Sequence, residues 1–461
     1  MKRFSRREFI RDVGAGAALL VAAPRLVMGA GGKGQEGALR ASQLLPSTGQ
    51  FVVHSDLHNH SLISGDAFGD PATAYAQMRA RGIDVACVTE HAISGKGHGE
   101  ITCPGHEEGG CHKIEGINGA DWEYMAELAD ASYDPGEFVS FRGFEWSTPT
   151  VGHLNVWFSE EFTDALHEFA FFTPTAIAEV DQIAPVPSNI VDLAAKLPEL
   201  ATMRFFYQWL ASPSSRALLG GGNDGIACFN HPNEYGSFEH FAYHPEAAPH
   251  VVSIEALNGD RDFFWFGLDH DPPKPNPFNA CLNAGWRVGF TGVSDEHSTE
   301  YGREGMARGG LWLTEMTREG VRAALESRRS FATFEPGLRL DATANGAPMG
   351  AELVHGSGVV VVQLDFDAGP EWAGRPITIE VVRPGSEVPA LAAVLANVPV
   401  PAPSEPPITF AVDVDLADGD WMFLRITDPS RPPHPLATEP YRSHGGALAY
   451  ASPWFLRAPG A

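Results

Sequence analysis

Between residue 51 and about residue 333 the chain repeats one pattern: a short apolar run closed at its carboxyl end by a histidine or a carboxylate. The stretch 51–60 is the first strand, and in an extended chain Asp56, His58 and His60 share one face. Asp70-Pro71 then offers an N-cap and a first-turn proline for a helix that Gly82 closes. The next run, 84–89, ends in Glu90-His91, giving a strand–helix–strand unit of the kind that builds parallel sheets. The pattern returns at 138–144 before Glu145, at 154–158 directly after His153, and at 226–229 before Asn230-His231. It recurs at 251–254 before Glu255 and at 288–293 before Ser294-Asp295-Glu296-His297. Polar residues collected at strand carboxyl ends are the arrangement of an α/β barrel, whose active site forms at that edge.

Two long insertions, 94–120 and 159–222, interrupt this order, and such loops on the catalytic side of a scaffold often serve as lids or recognition elements. An amphipathic helix is predicted over 317–328, with Val321 and Leu325 on one side. Beyond Pro336 the periodicity changes to short alternating runs, 359–366, 377–382, 409–414 and 421–426, separated by Pro, Gly and Asp. That texture predicts a small β-sandwich over 336–461, which holds no convincing ligand cluster.

The amino terminus has a different character. Lys2, Arg3, Arg6, Arg7 and Arg11 precede a mildly apolar run over 13–23, and Gly29 and Ala30 offer a cleavage site, so 1–30 reads as an export signal. Within it Ser5-Arg6-Arg7-Glu8-Phe9-Ile10 resembles a twin-arginine signal, which implies periplasmic or other extracytoplasmic placement. Residues 31–50, rich in Gly, Ser and Gln, read as a linker before an α/β unit over 51–335. No run approaches the roughly 20 apolar residues of a membrane span, so no stable membrane insertion is expected. A formal charge of -26 argues against nucleic acid as a partner, although bound cations can still draw an anionic small molecule to a local site. Oligomeric state is left open. Cys103 and Cys111 bracket a polar loop with His106 inside it and His98 and His112 just outside; a loop-closing disulfide, free thiols and a small zinc knot all fit. Cys87 and Cys228 sit in apolar runs and read as buried small hydrophobes.

Collected in order, the ligand candidates are His58, His60, Asp66, His91, Glu145, His153, His231, Asp295 and His297. The series His58-Asn59-His60-Ser61 with Asp66, Thr89-Glu90-His91, Glu145 with Gly152-His153, Asn230-His231-Pro232 and Ser294-Asp295-Glu296-His297 resembles the successive motifs of the polymerase-and-histidinol-phosphatase (PHP) superfamily. This resemblance implies a distorted (β/α)7 barrel with two to three divalent ions, zinc, manganese or iron, in one cluster. Carried over position by position, it assigns His58, His60, Glu145 and Asp295 to one ion, Glu145, His153 and His231 to a second, and Asp66, His91 and His297 to a third. Glu90 and Glu296 depart from the usual residues at two positions between ligands, which alters the surroundings rather than the ligand set. Ser327-Arg328-Arg329-Ser330-Phe331-Ala332-Thr333 and the carboxy-terminal β region resemble the branch that includes aryl carbamate hydrolases.

Independently of the family, clustered divalent ions lower the pKa of a shared water towards about 7 and so supply hydroxide for attack on a phosphorus or carbonyl centre. The expectation is therefore an exported metal-dependent hydrolase of a small-molecule ester, a phosphoesterase (EC 3.1), with Glu145, Asp295, His297 and Arg303 in the catalytic centre. Carboxylic or carbamate ester hydrolysis at the same site is the alternative, and a non-catalytic metal-containing binding protein is the second. Arg303, Arg308 and Lys96 are candidates for binding an anion, and the aromatic segments 205–209 and 263–266 for lining an apolar cleft, though core packing is their commoner use. No Walker loop and no Gly-x-Ser-x-Gly elbow is present.

Overall fold

A computed structural model describes residues 41–92, 116–117, 119–148, 151–163, 165, 198–215 and 220–460. The segment 1–30 expected to be an export signal, the Cys103–Cys111 loop, Lys96 and much of both insertions lie outside the described residues. β1 (Phe51–Asp56), β2 (Val85–Ala92) and β3 (Val139–Thr148) pair in parallel. β2 is buried along its whole length, as a parallel strand covered on both faces must be. β3 then turns back into β4 (Gly152–Trp157), which is antiparallel both to β3 and to β5 (Ile226–Phe229). β6 (Val251–Asn258) runs parallel to β5, β7 (Arg261–Asp262) folds back on the end of β6, and β8 (Gly289–Val293) pairs with β6 in parallel.

The sheet is therefore mixed, and the strand–helix alternation of the expected (β/α)7 barrel fails at the β3–β4 reversal. Thr148 Oγ1 closes that turn by accepting from Val151 N (3.2 Å) and donating to Gly152 O (3.0 Å), while Gly152 takes φ 122°. Nor does the described ladder close into a barrel. β9 (Arg308–Leu313) and β10 (Ser330–Thr333) continue the sheet from β1 in antiparallel fashion. β8 lies against β9, where a Cβ on Gly292 would fall 2.4 Å from Arg308 O. What joins the carboxyl ends of β1 and β8 is one parallel bridge, Asn59 with Glu296. It is flanked by hydrogen bonds from His60 N to Glu296 O and from Asp295 N to His58 O, both 2.9 Å.

Strand β1 ends at Asp56, so His58 and His60 lie beyond the strand in which the alternation pattern placed them. Asn59 causes the departure: its Nδ2 donates to the carbonyls of Asp56 (3.4 Å) and Cys87 (3.1 Å), and its own carbonyl accepts from Thr89 N (2.8 Å). The helices follow their sequence signals more closely. α1 (Pro71–Ala80) is capped by the Asp70 carboxylate on Ala72 N and buries Ala74, Tyr75 and Met78. α2 (Gly119–Ser132), α3 (Pro198–Leu210) and α4 (Pro277–Asn283) follow, and Thr317 caps α5 (Arg318–Glu326) through Gly320 N. Phe206, Tyr207, Trp209, Phe263, Phe264 and Trp265 are buried in the largest apolar core and do not line a cleft. Cys87 and Cys228 are buried as expected, and burial raises both thiols well above their ordinary pKa.

The carboxy-terminal strands form two facing layers. β11 (Arg339–Ala344), β12 (Ala347–Pro348), β14 (Ser357–Asp367) and β17 (Ile408–Asp415) make a separate antiparallel sheet. β13 (Glu352–Val354), β15 (Pro376–Arg383), β16 (Ala390–Pro399), β18 (Trp421–Asp428) and β19 (Gly446–Arg457) instead extend the main sheet through the β10–β19 pairing. Leu340 and Val362 of one layer share an apolar core with Ile379, Leu424 and Trp454 of the other. The described residues belong to one compact unit. Among them no helix is long and apolar enough to cross a membrane.

Arg425 ties these strands to the amino-terminal α/β part. Buried, it donates to Glu380 Oε2 (2.9 Å) and Tyr450 OH (2.9 Å), and lies 3.7 Å from Asp262 Oδ2. Replacing Arg425 by Ala leaves two buried carboxylates without their cation, and removing one partner of such a group costs about 3–5 kcal/mol. Urea unfolding of Arg425→Ala should show a clearly lower midpoint, and a midpoint equal to wild type would contradict this account.

Candidate metal centre

Strands β1, β2, β3, β5, β6 and β8 all point the same way, so their carboxyl ends form one edge. His58 and His60 follow β1, His91 lies near the end of β2, Glu145 sits late in β3, His231 follows β5, and Asp295 and His297 follow β8. β4 runs the other way, which brings its second residue, His153, to the same edge. All nine ligand candidates meet there. Ligand atoms lie within 4.8 Å of one another in four sets: His58/His60/Glu145, Glu145/His153/His231, His58/His231/Asp295 and His60/His91/His297. Asp66 joins the last set, its Oδ2 3.1 Å from His91 Nε2 and 3.6 Å from His297 Nε2.

Glu145 belongs to two of the four sets and is approached by four histidines. Its Oε1 lies 3.2 Å from each of His58 Nε2, His153 Nδ1 and His231 Nε2, and its Oε2 lies 2.7 Å from His91 Nδ1. Asn230 Nδ2 also donates to Oε1, at 2.8 Å. Asp295 is aimed inward by a left-handed backbone, φ 51°, a conformation that costs a non-glycine residue about 1–3 kcal/mol. The preceding residue is anchored, since Ser294 N (3.0 Å) and Oγ (2.6 Å) both donate to the Asp56 carboxylate. Asp56 thus orients a ligand without being one.

Proton placement shows that a cation fits. His58 Nδ1 is 2.7 Å from Glu255 Oε1, so a ring proton belongs on Nδ1 and Nε2 is the nitrogen turned to the cluster. His60 Nδ1 meets Ser64 Oγ at 3.0 Å, and Ser64 Oγ in turn donates to Glu90 Oε2 at 2.5 Å, which leaves a lone pair on His60 Nε2. The two Nε2 atoms face each other at 3.0 Å, with Asp295 Oδ1 3.3 and 3.4 Å away. Two ring nitrogens and an anionic oxygen converge on one point, and against burial Asp295, Glu255 and Glu145 raise His58 well above its ordinary pKa, so the position favours positive charge, whether a ring proton or a metal ion. His297 repeats the arrangement, with Nδ1 held by Asp295 O at 2.9 Å and Nε2 turned to Asp66. Imidazole with carboxylate is a donor set for zinc, manganese or iron rather than for a soft ion such as copper(I).

The electrostatics agree. Burial alone would raise the Glu145 carboxyl, but His153, His58 and His91 hold it well below its ordinary range. Asp295 is likewise held down by His58, His60 and His297 against burial. Burial would lower His91, yet Asp66 and Glu145 raise it to about 10; His297 is raised to about 9 by Asp66 and Asp295 in the same way. His60 falls to about 3 through burial and the neighbouring His91 and His297.

The Arg303 guanidinium lies 3.7 Å from Glu296 and 3.8 Å from Glu300, all three residues belonging to the segment that follows β8. Arg308 is buried on β9. Further residues complete the surroundings of the ligands. Glu255 holds His58 and also accepts from His231 N (2.6 Å) and Asn258 Nδ2 (2.9 Å); its position at a strand end was the available signal. Glu90 accepts from the Ser61 and Ser64 amides (3.0 and 3.1 Å) and from both hydroxyls, fixing the loop that carries His60. Tyr235, half-exposed, stacks on His153 with ring centroids 4.4 Å apart, and Arg261 is held beside it by Glu234 (2.5 Å).

Comparison with known proteins adds the following. Residues 96–175 match a family model described as "Protein of unknown function (DUF3604)". No curated protein matches the chain. Among solved structures the chain is similar to a two-domain protein from Bacteroides vulgatus containing a predicted PHP-like metal-dependent phosphoesterase, at 14% identity and a TM-score of 0.40, covering 89% of this chain and 97% of that one. It is also similar to an amidohydrolase from Chromobacterium violaceum with bound sulfate and no metal, at 15% identity and a TM-score of 0.26, covering 54% of this chain and 90% of that one.

Two measurements test the centre. Glu255→Gln removes the anionic partner of His58 Nδ1, and such outer partners typically contribute 10- to 100-fold in metal affinity. Calorimetric titration with Zn or Mn should show a loss of about that size, and unchanged affinity would remove Glu255 from the centre. Because His91 and His297 hold protons up to about 10 and 9 without metal, ion binding at pH 7 must displace them. Affinity should therefore rise with pH from 7 towards 9, and the heat of binding at pH 7 should vary with the ionisation enthalpy of the buffer.

Proposed function

We propose that this protein is an exported metal-dependent hydrolase, a phosphoesterase acting on a small ester. The observation that supports this reading best is the sharing of one buried carboxylate, Glu145, by histidines of several ligand sets, which is the arrangement a multinuclear centre requires. Divalent ions held by these sets would supply Lewis acidity and a water acidified to a pKa of about 7. The chain's own residues do the rest. Glu145 remains ionised and fixes the spacing of the sets. Asp66, Asp295 and His297, with side chains 22%, 14% and 36% exposed, form the side of the cluster that substrate meets, whereas His58 and His60 are fully enclosed. Glu255, Glu90 and Asp56 keep the ligand rings and the Asp295 turn from rotating as charge shifts.

Carboxylic or carbamate ester hydrolysis is the second reading. It is favoured by Leu62 and Phe68 on the loop bearing Asp66 and by Tyr235 over His153, which expose 59%, 55% and 49% of their surfaces and offer an apolar rim for an aryl group. Export is read from Arg6-Arg7. It suits a centre whose ligands come from β1 to β8, because the twin-arginine route carries proteins already folded around their ions.

Metal-reconstituted protein should turn over bis(p-nitrophenyl) phosphate or p-nitrophenyl phosphate, lose activity to a chelator and regain it on metal addition. Turnover of an aryl carbamate alone would select the second reading, and inertness to all three at full metal content would reject both. Changing Arg6 and Arg7 together to Lys should abolish export to the periplasm; undiminished periplasmic protein would remove that part of the reading.

A further inference from the structure

An ester bearing negative charge needs a cationic group beside the ions; of the described sequence candidates, Arg303 is engaged by Glu296 and Glu300 and Arg308 is buried. Arg261 occupies the required place. It lies on the short β6–β7 hairpin, whose turn residue Gly259 takes φ 60°, donates to Val293 O (2.9 Å) and accepts from Ala307 N (2.8 Å). The hairpin is thereby fixed to the end of β8, beside Asp295. From there Arg261 Nη2 donates to Asn258 Oδ1 at 3.3 Å, and Asn258 Nδ2 donates to Asp295 Oδ2 at 3.2 Å. One side-chain amide therefore separates the guanidinium from a ligand of the cluster.

Arg261 is also pre-oriented. Nη1 donates to Glu234 Oε1, and the guanidinium lies over the Phe263 and Phe266 rings at 5.1 and 5.9 Å from their centroids. These contacts use part of the five-donor fork, and a side chain 37% exposed keeps an edge open to solvent. The adjoining Asp262 is braced from the carboxy-terminal strands, accepting from Tyr450 OH at 2.7 Å and from Phe264 N at 3.1 Å.

We infer that Arg261 is the substrate-orienting residue of this site, its fork taking the non-bridging oxygens of a phosphoryl group as the ester lies across Asp295. The inference rests on the phosphoesterase reading above and narrows it to substrates with an anionic tetrahedral centre. A planar guanidinium suits such oxygens better than an ammonium does, so Lys is not an equal replacement.

The test is to titrate metal-loaded wild type, Arg261→Gln and Arg261→Lys with inorganic phosphate by calorimetry, in parallel with kinetics on bis(p-nitrophenyl) phosphate and on the neutral p-nitrophenyl acetate. Elemental analysis should give equal metal content in all three proteins. Loss of charge-assisted hydrogen bonds should weaken phosphate binding by roughly 10- to 100-fold in Arg261→Gln and by less in Arg261→Lys. KM for the phosphodiester should rise in step, while any turnover of the acetate ester is spared. Equal phosphate affinity in wild type and Arg261→Gln, or no phosphate binding by metal-loaded wild type, would overturn the inference. Arg261-dependent phosphate binding without turnover of any phosphoester would uphold it and sink the phosphoesterase reading alone.

Discussion

A fully buried carboxylate surrounded by imidazoles is the constraint on which the site depends. Glu145 cannot sit in an apolar interior as an isolated anion, because the desolvation cost of a bare charge is many kcal/mol. It is tolerated because His58, His91, His153 and His231 all approach it. Each of those histidines comes from a different strand or strand end, so keeping Glu145 ionised requires several segments of the sheet to be in register at once. The strand directions then follow as a condition of the chemistry. β4 alone among the site strands runs backwards, and it contributes from its beginning rather than its end.

Around this carboxylate, an outer layer of acids sets the chemistry of the rings. Glu255 and the Ser64–Glu90 pair each claim the Nδ1 side of a histidine and so free the Nε2 side for a cation. Residues that never touch an ion thereby decide which nitrogen can. The opposing shifts of His60 and His91, rings stacked 4.2 Å apart, show the same logic: one is left neutral by its neighbours, the other is charged by its carboxylates.

Much of this was legible in the sequence because apolar runs ending in His, Asp or Glu have a direct structural meaning at a strand's carboxyl end. The α1 cap at Asp70-Pro71 was readable for a similarly local reason: the capping side chain bonds to an amide two residues away. The reversal from β3 to β4 was less so, since a run of apolar residues carries no sign of direction and Thr148 works through a turn. Asn59 ended β1 early by bonding across to β2, a contact of long sequence separation. Arg303 is engaged by Glu296 and Glu300 of its own segment, while Arg261 and Tyr235 follow other motifs and carry no periodic signal. The continuity of β19 with β10 was hidden for the same reason as the β4 reversal: edge pairing is decided by partners more than a hundred residues away.

That continuity changes what the carboxy-terminal strands are. An appended domain can be exchanged or trimmed with the catalytic half intact, but here β19 supplies the Tyr450 hydroxyl that grips Asp262, the residue next to the arginine at the mouth of the site. The two halves of the chain are thus bound to change together: drift in the buried packing of β15, β18 and β19 reaches the arginine proposed to orient substrate through a single peptide unit. Selection on that proposed contact would then act on residues that no ligand touches.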